Sequence, residues 1–383
     1  MYGNQYYLKN TGQLGGVIGI DINIEPAWAI TTGSNTLRVA VIDEGVENHE
    51  DFNGRVLNNI GYTAGVTNGT GAPQNGVKGH GVACSGIIAA SHNTLGIRGI
   101  APNVQIVPIN IFPLAPTGPN PAGAATNAQI AAGIDWAWNQ ASADVLSCSW
   151  GGGAQSNDID AAIGRARTNG RIINGVARGC PVVFAAGNNI PFQAVSYPGN
   201  VNNVITVGAC NNAPPSGDIW YYSNRDATMD LVAPSGDVNL MGDVTTTDRM
   251  GAAGYEVGNY TNRFGGTSAA CPQVSGVVAL MLSVNPNLTE TQARSILQNT
   301  AIDMGAFGFD NTFGFGRVNA CAAVSSALSS LLTISGPDFV CGTSTLYTIT
   351  NLPANTTIVW SASPAGLVQI NTPNANSTTI TRL

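Results

Sequence analysis

The chain has 383 residues, is 44% hydrophobic and only 10% charged, and carries a formal net charge of −7. It is long and apolar enough to bury a large core, with room for a second, smaller domain. Its 15 lysines and arginines form no basic run, which excludes nucleic acid as a partner, and no apolar run reads as a membrane span.

In chain order, LRVAVIDEG is an apolar strand ending in acids, and HGVACSGIIAAS is a small-residue helix. VQIVPINIF is a strand, NAQIAAGIDWAWNQ a helix, and ADVLSCSWGGG a strand running into glycines. PVVFAAGNN, NVITVGAC and MDLVAPSG are further strands. Near-continuous apolar strands joined by helices predict a mostly parallel sheet covered on both faces, a three-layer α/β/α domain over residues 1–332. FGGTSAACPQVSGVVALML opens a helix that is uncharged from Val274 to Leu282, hence a core helix. TETQARSILQNTA, with Asn287 or Thr289 near its cap, and VNACAAVSSALSSLL are the last helices. After Leu332, apolar residues alternate with Thr and Ser between Gly, Pro and Asn. Residues 333–383 therefore read as a small all-β module of Ig-like sandwich type, too short to be complete.

Seven cysteines, an odd number without a CxxC pair, make neither a disulfide framework nor a zinc site. Cys180 and Cys210 flank neighbouring strands at opposite ends if those strands are parallel, beyond disulfide reach.

Ligand sites in such sheets lie at the carboxyl ends of strands. That rule selects Asp43, the stretch 149–153 and Asn188. Asp43 closes an apolar strand, a costly place for an acid without a partner. Ser268 sits on the first turn of the core helix, where free N–H groups and the helix dipole favour negative charge. A serine opening a helix is ordinary by itself; the joint arrangement is what matters. Of the three histidines, His49 and His92 lie in polar loops, whereas His80, flanked by glycines at a helix start, can reach an open cleft. A serine nucleophile needs such a histidine, with a carboxylate to fix its tautomer.

VAVIDEGVENHEDF, GHGVACSGIIAA, VVFAAGN and GTSAACP resemble the four signature blocks of the subtilisin-like serine peptidases, in that family's order. The resemblance implies Ser268 as nucleophile, His80 as general base and then acid, and Asp43 as the group that orients His80. It also implies that Asn188 and the Ser268 backbone N–H hold the oxyanion. HGVAC, TSAACP and the opening YYLKNTGQ lean to the kexin-like branch, although DEG stands where that branch has DDG. That branch lines its primary pocket with acids, but here SWGGGAQ offers Gly153 and Ala154, and Ala194, Val195 and Ser196 precede Tyr197. A cationic side chain would be buried without a counterion. The expected primary site is therefore uncharged or apolar, walled by Ser149, Trp150, Gly151, Gly152, Ala185, Ala186, Gly187 and Ser196.

The resemblance further implies a structural Ca²⁺ in the loop ASHNTLGIRGIAP, held by the side chains of Asp51 and Asn93 and the carbonyls of Ser91, Leu95 and Ile97. Gln5 is a candidate for a further ligand. The expected activity is serine endopeptidase action on proteins or peptides, in a secreted or cell-surface setting, although MYGNQYYLKN has no features of a leader. A peptide ligase or macrocyclase using the same acyl-enzyme, and a non-catalytic binding relative, remain alternatives. The β module could serve adhesion or surface presentation, or act as a spacer.

Overall fold

The computed structural model describes residues 1–113, 125–214, 217–238, 243–337, 344–350, 358–362 and 367–382. The chain divides into two compact units, Met1–Ser325 and Ser326–Leu383.

In the first unit, the apolar runs become strands β1 (Arg38–Asp43), β2 (Tyr62–Thr63), β3 (Gln105–Asn110) and β4 (Val145–Cys148). A short hairpin follows, β5 (Ile172–Ile173) with β6 (Val176–Ala177), and then β7 (Val182–Ala185), β8 (Ile205–Cys210) and β9 (Leu231–Pro234). Seven of these form one parallel sheet in the order β2-β3-β1-β4-β7-β8-β9. β1, β4 and β7 are neighbours, so Asp43, Ser149 and Asn188 come out along one carboxyl edge.

The helices are α1 (Glu25–Trp28), α2 (His80–Ala89), α3 (Asn127–Asp135), α4 (Asn157–Asn169), α5 (Thr267–Val284), α6 (Glu290–Thr300) and α7 (Ala320–Ser329). Thr289 caps α6 through a capping box with Gln292. α4 and the β5–β6 hairpin were not foreseen from the sequence. α5 is long and apolar enough to cross a membrane by length and composition, which departs from the sequence reading, but it is buried within this unit.

Two local features set the site. Gly81 lies so close to β1 that a Cβ there would stand 2.5 Å from the Gly45 carbonyl oxygen and 3.1 Å from the Asp43 Cβ. Only a glycine lets α2 approach closely enough to bring His80 to Asp43. In α5, Pro272 removes the helical N–H that would bond the Ser268 carbonyl four residues earlier. Ser149 Oγ (3.0 Å) and Cys84 Sγ (3.6 Å) take that carbonyl instead. The antiparallel pair β10 (Val244–Thr247) and β11 (Tyr260–Phe264) packs on α2, Thr246 and Thr247 donating to the Ala83 and Val82 carbonyls.

The six described cysteines are free thiols; Cys341 lies outside the described residues. The second unit holds an antiparallel sheet in the order β12 (Thr333–Ser335), β13 (Thr345–Thr350), β15 (Ser377–Arg382), β14 (Val368–Ile370).

Candidate active site

His80 Nδ1 donates to Asp43, 2.9 Å from Oδ2 and 3.0 Å from Oδ1. Asp43 is buried, and its Oδ1 also accepts the Glu44 backbone N–H at 2.7 Å. The carboxylate thus fixes the imidazole tautomer and leaves Nε2 as the accepting nitrogen. Burial pushes the His80 imidazolium down, but the electrostatic effects of Asp43, Cys84 and Tyr255 and the hydrogen bond to Asp43 together outweigh it and hold His80 well above its ordinary value. The imidazole also packs edge-on to the Phe264 ring, centroids 5.2 Å apart.

Ser268 Oγ donates to the Ser149 carbonyl at 3.4 Å, and among the described residues no hydrogen bond joins it to His80. Cys84 touches both residues: its Sγ is 3.8 Å from His80 Nδ1 and 3.6 Å from the Ser268 carbonyl oxygen. Burial raises the Cys84 thiol above its ordinary value, so it packs there as a neutral group.

The Asn188 amide is oriented by Thr267, a role that no motif in the sequence announces. Its Oδ1 accepts both Thr267 N and Thr267 Oγ1 at 2.9 Å, while Thr267 Oγ1 itself accepts the Gly187 N–H at 3.1 Å. With the oxygen engaged inward, Nδ2 is the group left for the cleft.

A cleft of about 690 Å³ opens beside Ser268. Ser149, Trp150, Gly151, Gly152, Ala185, Gly187 and Ser196 line it, and among the described residues no side chain of Asp, Glu, Lys or Arg does. Ala186 does not line it. Side chains alternate across the sheet as β7 ends, so Ala186 turns inward onto Val195 and Met229. Gly187 has φ +102°, and a Cβ there would stand 2.3 Å from Ser196 Oγ. Behind Ser196, the buried Asn224 donates from Nδ2 to Ser196 Oγ (3.0 Å) and Asn189 Oδ1 (2.7 Å), and its Oδ1 accepts the Gln193 N–H at 2.9 Å. Asn224 carries no sequence signal; only the fold brings it to the cleft.

The loop expected to hold calcium is assembled around Asp51. That carboxylate is fully buried, makes no ion pair among the described residues, and accepts Asn93 Nδ2 (2.8 Å) and the Ile97 N–H (3.1 Å). Asn93 Oδ1 is engaged by the Leu95 N–H at 2.7 Å, and the Ser91 carbonyl accepts the Asn93 N–H. Gln5 reaches the same loop through paired 2.8 Å bonds with the Arg98 backbone. Asp51, Asn93, the Ser91 carbonyl and Gln5 are oxygen donors of the kind a hard divalent cation takes, each engaged here by an N–H group, and the Arg55 guanidinium lies near enough to Asp51 to feel its charge.

Fold and site together define a three-layer α/β/α architecture of the serine-peptidase type. The chain belongs to the subtilase family, whose sequence profile matches residues 34–316. It is 35% identical to a calcium-dependent protease of Trichormus variabilis, over 85% of this chain and 51% of that protein. It is 32% identical to Subtilisin Savinase of Lederbergia lenta, over 76% of this chain and 91% of that protein. The crystal structure of fervidolysin from Fervidobacterium pennivorans superposes with a TM-score of 0.68 at 27% identity, over 99% of this chain and 54% of that one. The chain spans about half the length of the first curated relatives it matches.

Proposed function

We propose that the chain is a serine endopeptidase. Substrate binding turns the Ser268 hydroxyl from the Ser149 carbonyl towards His80 Nε2, which takes its proton as Oγ attacks the scissile carbonyl carbon. Asp43 stabilises the resulting imidazolium. Asn188 Nδ2 and the Ser268 N–H receive the oxyanion. His80 then returns the proton to the leaving amine, and water, activated by the same imidazole, hydrolyses the acyl-enzyme. The observation that carries this reading is the 2.9 Å pairing of His80 with a buried Asp43 on the strand edge that faces Ser268.

The uncharged cleft supports cleavage after uncharged or apolar residues rather than dibasic pairs. A Ca²⁺ held at Asp51, Asn93 and the neighbouring carbonyls would stiffen the loop after α2, in keeping with relatives named calcium-dependent proteases. Secretion is in keeping with the relative named an extracellular protease in Xanthomonas campestris.

Cleavage of a peptide library by the wild type and by Ser268→Ala, read by mass spectrometry, tests activity and preference together. The expected products are hydrolytic, with uncharged residues before the cut, and they disappear in Ser268→Ala. Ligated products, cuts confined to Arg–Arg sites, or unchanged cleavage by the variant would each contradict the reading.

A further inference from the structure

Glu44 stands next to Asp43, yet nothing in the chemistry above uses it. His80 opens α2, whose N-cap is Gly79 at φ +80°; that residue has no side chain to cap with, and the first turn holds no acid. A helix start leaves several backbone N–H groups without partners. Glu44 meets this need from the end of β1: its Oε2 accepts the His80 N–H at 3.2 Å. A carboxylate on a neighbouring strand thus does what a capping residue does from inside a helix.

The placement is costly. Burial, and then the adjacent charge of Asp43, raise the Glu44 carboxyl above its ordinary value, while His80 and the His80 and Gly79 N–H groups oppose this. Glu44 makes no ion pair with Lys or Arg among the described residues. The groups facing the Glu44–His80 pair are Asp43 from β1, Cys84 from α2, and Tyr255 from the loop between β10 and β11. Arg249 packs its aliphatic stem against Gly79, but its guanidinium is taken by Glu47 at 3.0 Å and by the Gln74 and Val77 carbonyls. Among the described residues, the cation whose charge acts on Glu44 is the imidazolium of His80.

We propose that Glu44 is a positioning residue for the reaction, anchoring the first residue of α2 so that the His80 ring meets Asp43 squarely and adding its charge to the support of the His80 imidazolium. The role rests on the reading of His80 as general base. It makes Glu44 a functional member of the DEG sequence rather than a neutral neighbour of Asp43.

With three histidines in the chain, ¹⁵N-histidine NMR follows each imidazole separately. In Glu44→Gln, which keeps an acceptor but loses the charge, His80 should titrate lower by roughly half a unit while His92 stays in place. The acid limb of kcat/KM should move down with it. In Glu44→Ala, the downfield Nδ1 proton of His80 should weaken or shift, and kcat/KM above the limb should fall roughly tenfold. If Glu44→Ala does not fold, the isosteric Gln variant carries the measurement alone. A His80 titration in Glu44→Gln superimposable on that of the wild type overturns the proposal. The NMR reading needs no turnover, so an inactive wild type would overturn the endopeptidase reading separately from this one.

Discussion

Replacing Thr267 by valine keeps the shape of a fully buried side chain and removes one hydroxyl. Two hydrogen bonds go with it: the 2.9 Å donation to Asn188 Oδ1 and the 3.1 Å acceptance from the Gly187 N–H. The Gly187 N–H, left without a partner, costs about 1–3 kcal/mol of stability, read as a fall of several degrees in Tm. Asn188 keeps its bond from Thr267 N but loses half of what fixes its amide. Complete loss of an oxyanion donor costs about 2.7–4 kcal/mol in the transition state; losing half of the orientation should cost about 1.4 kcal/mol, a tenfold fall in kcat with KM little changed. Asn188→Ala should fall roughly 10²–10³-fold. Because Thr267 acts through Asn188, Thr267→Val/Asn188→Ala should be no slower than Asn188→Ala alone. Steady-state kinetics on one peptide substrate across the four proteins completes the cycle. Wild-type kcat in Thr267→Val, or costs that add in the double variant, would refute the reasoning.

Three further outcomes follow from the same geometry. Since Asp43, with Cys84 and Tyr255, holds the His80 imidazolium above its ordinary range, and only neutral His80 can accept the Ser268 proton, kcat/KM should rise with pH through a limb above about 6.5. Asp43→Asn should move that limb down and cut kcat roughly 10⁴-fold; a wild-type limb at or below the ordinary value would count against the pairing. Chelation with EDTA should lower Tm by several degrees, reversibly with Ca²⁺, and Asp51→Ala should abolish the difference; a Tm indifferent to EDTA removes the calcium reading. Ser196→Asp should place a carboxylate at the back of the cleft and raise cleavage after arginine about tenfold or more relative to wild type, and an unchanged peptide profile would mean that Ser196 does not face the primary side chain.

Much of this was legible where one residue stood out from its surroundings. Asp43 was visible because an acid ends an apolar strand, and His80 because it is the one histidine that opens a small-residue helix. Asn188 and Ser268 followed from strand-end and helix-start rules, and the strand neighbours β1, β4 and β7 bring three of the marked positions to one edge. What stayed hidden depends on contacts across the chain. Thr267 is an ordinary helix-start residue until Asn188, 79 residues away in sequence, is folded against it. Asn224 lies in an undistinguished loop and acquires meaning only behind Ser196. Ala186 was placed in the wall with its neighbours because a run of small residues does not declare its alternation; the strand geometry turns it inward. The Ser268 hydroxyl pairing with Ser149 rather than His80 was likewise unreadable, since it depends on the rotamer of one side chain.

The central claim, that Ser268 is a nucleophile activated by His80 and Asp43, is tested most directly by labelling with a fluorophosphonate followed by peptide mass spectrometry. The account predicts one stoichiometric adduct, on Ser268, forming at least a hundredfold more slowly in His80→Ala. A folded wild-type protein that takes no label, or takes it on another serine, would contradict it.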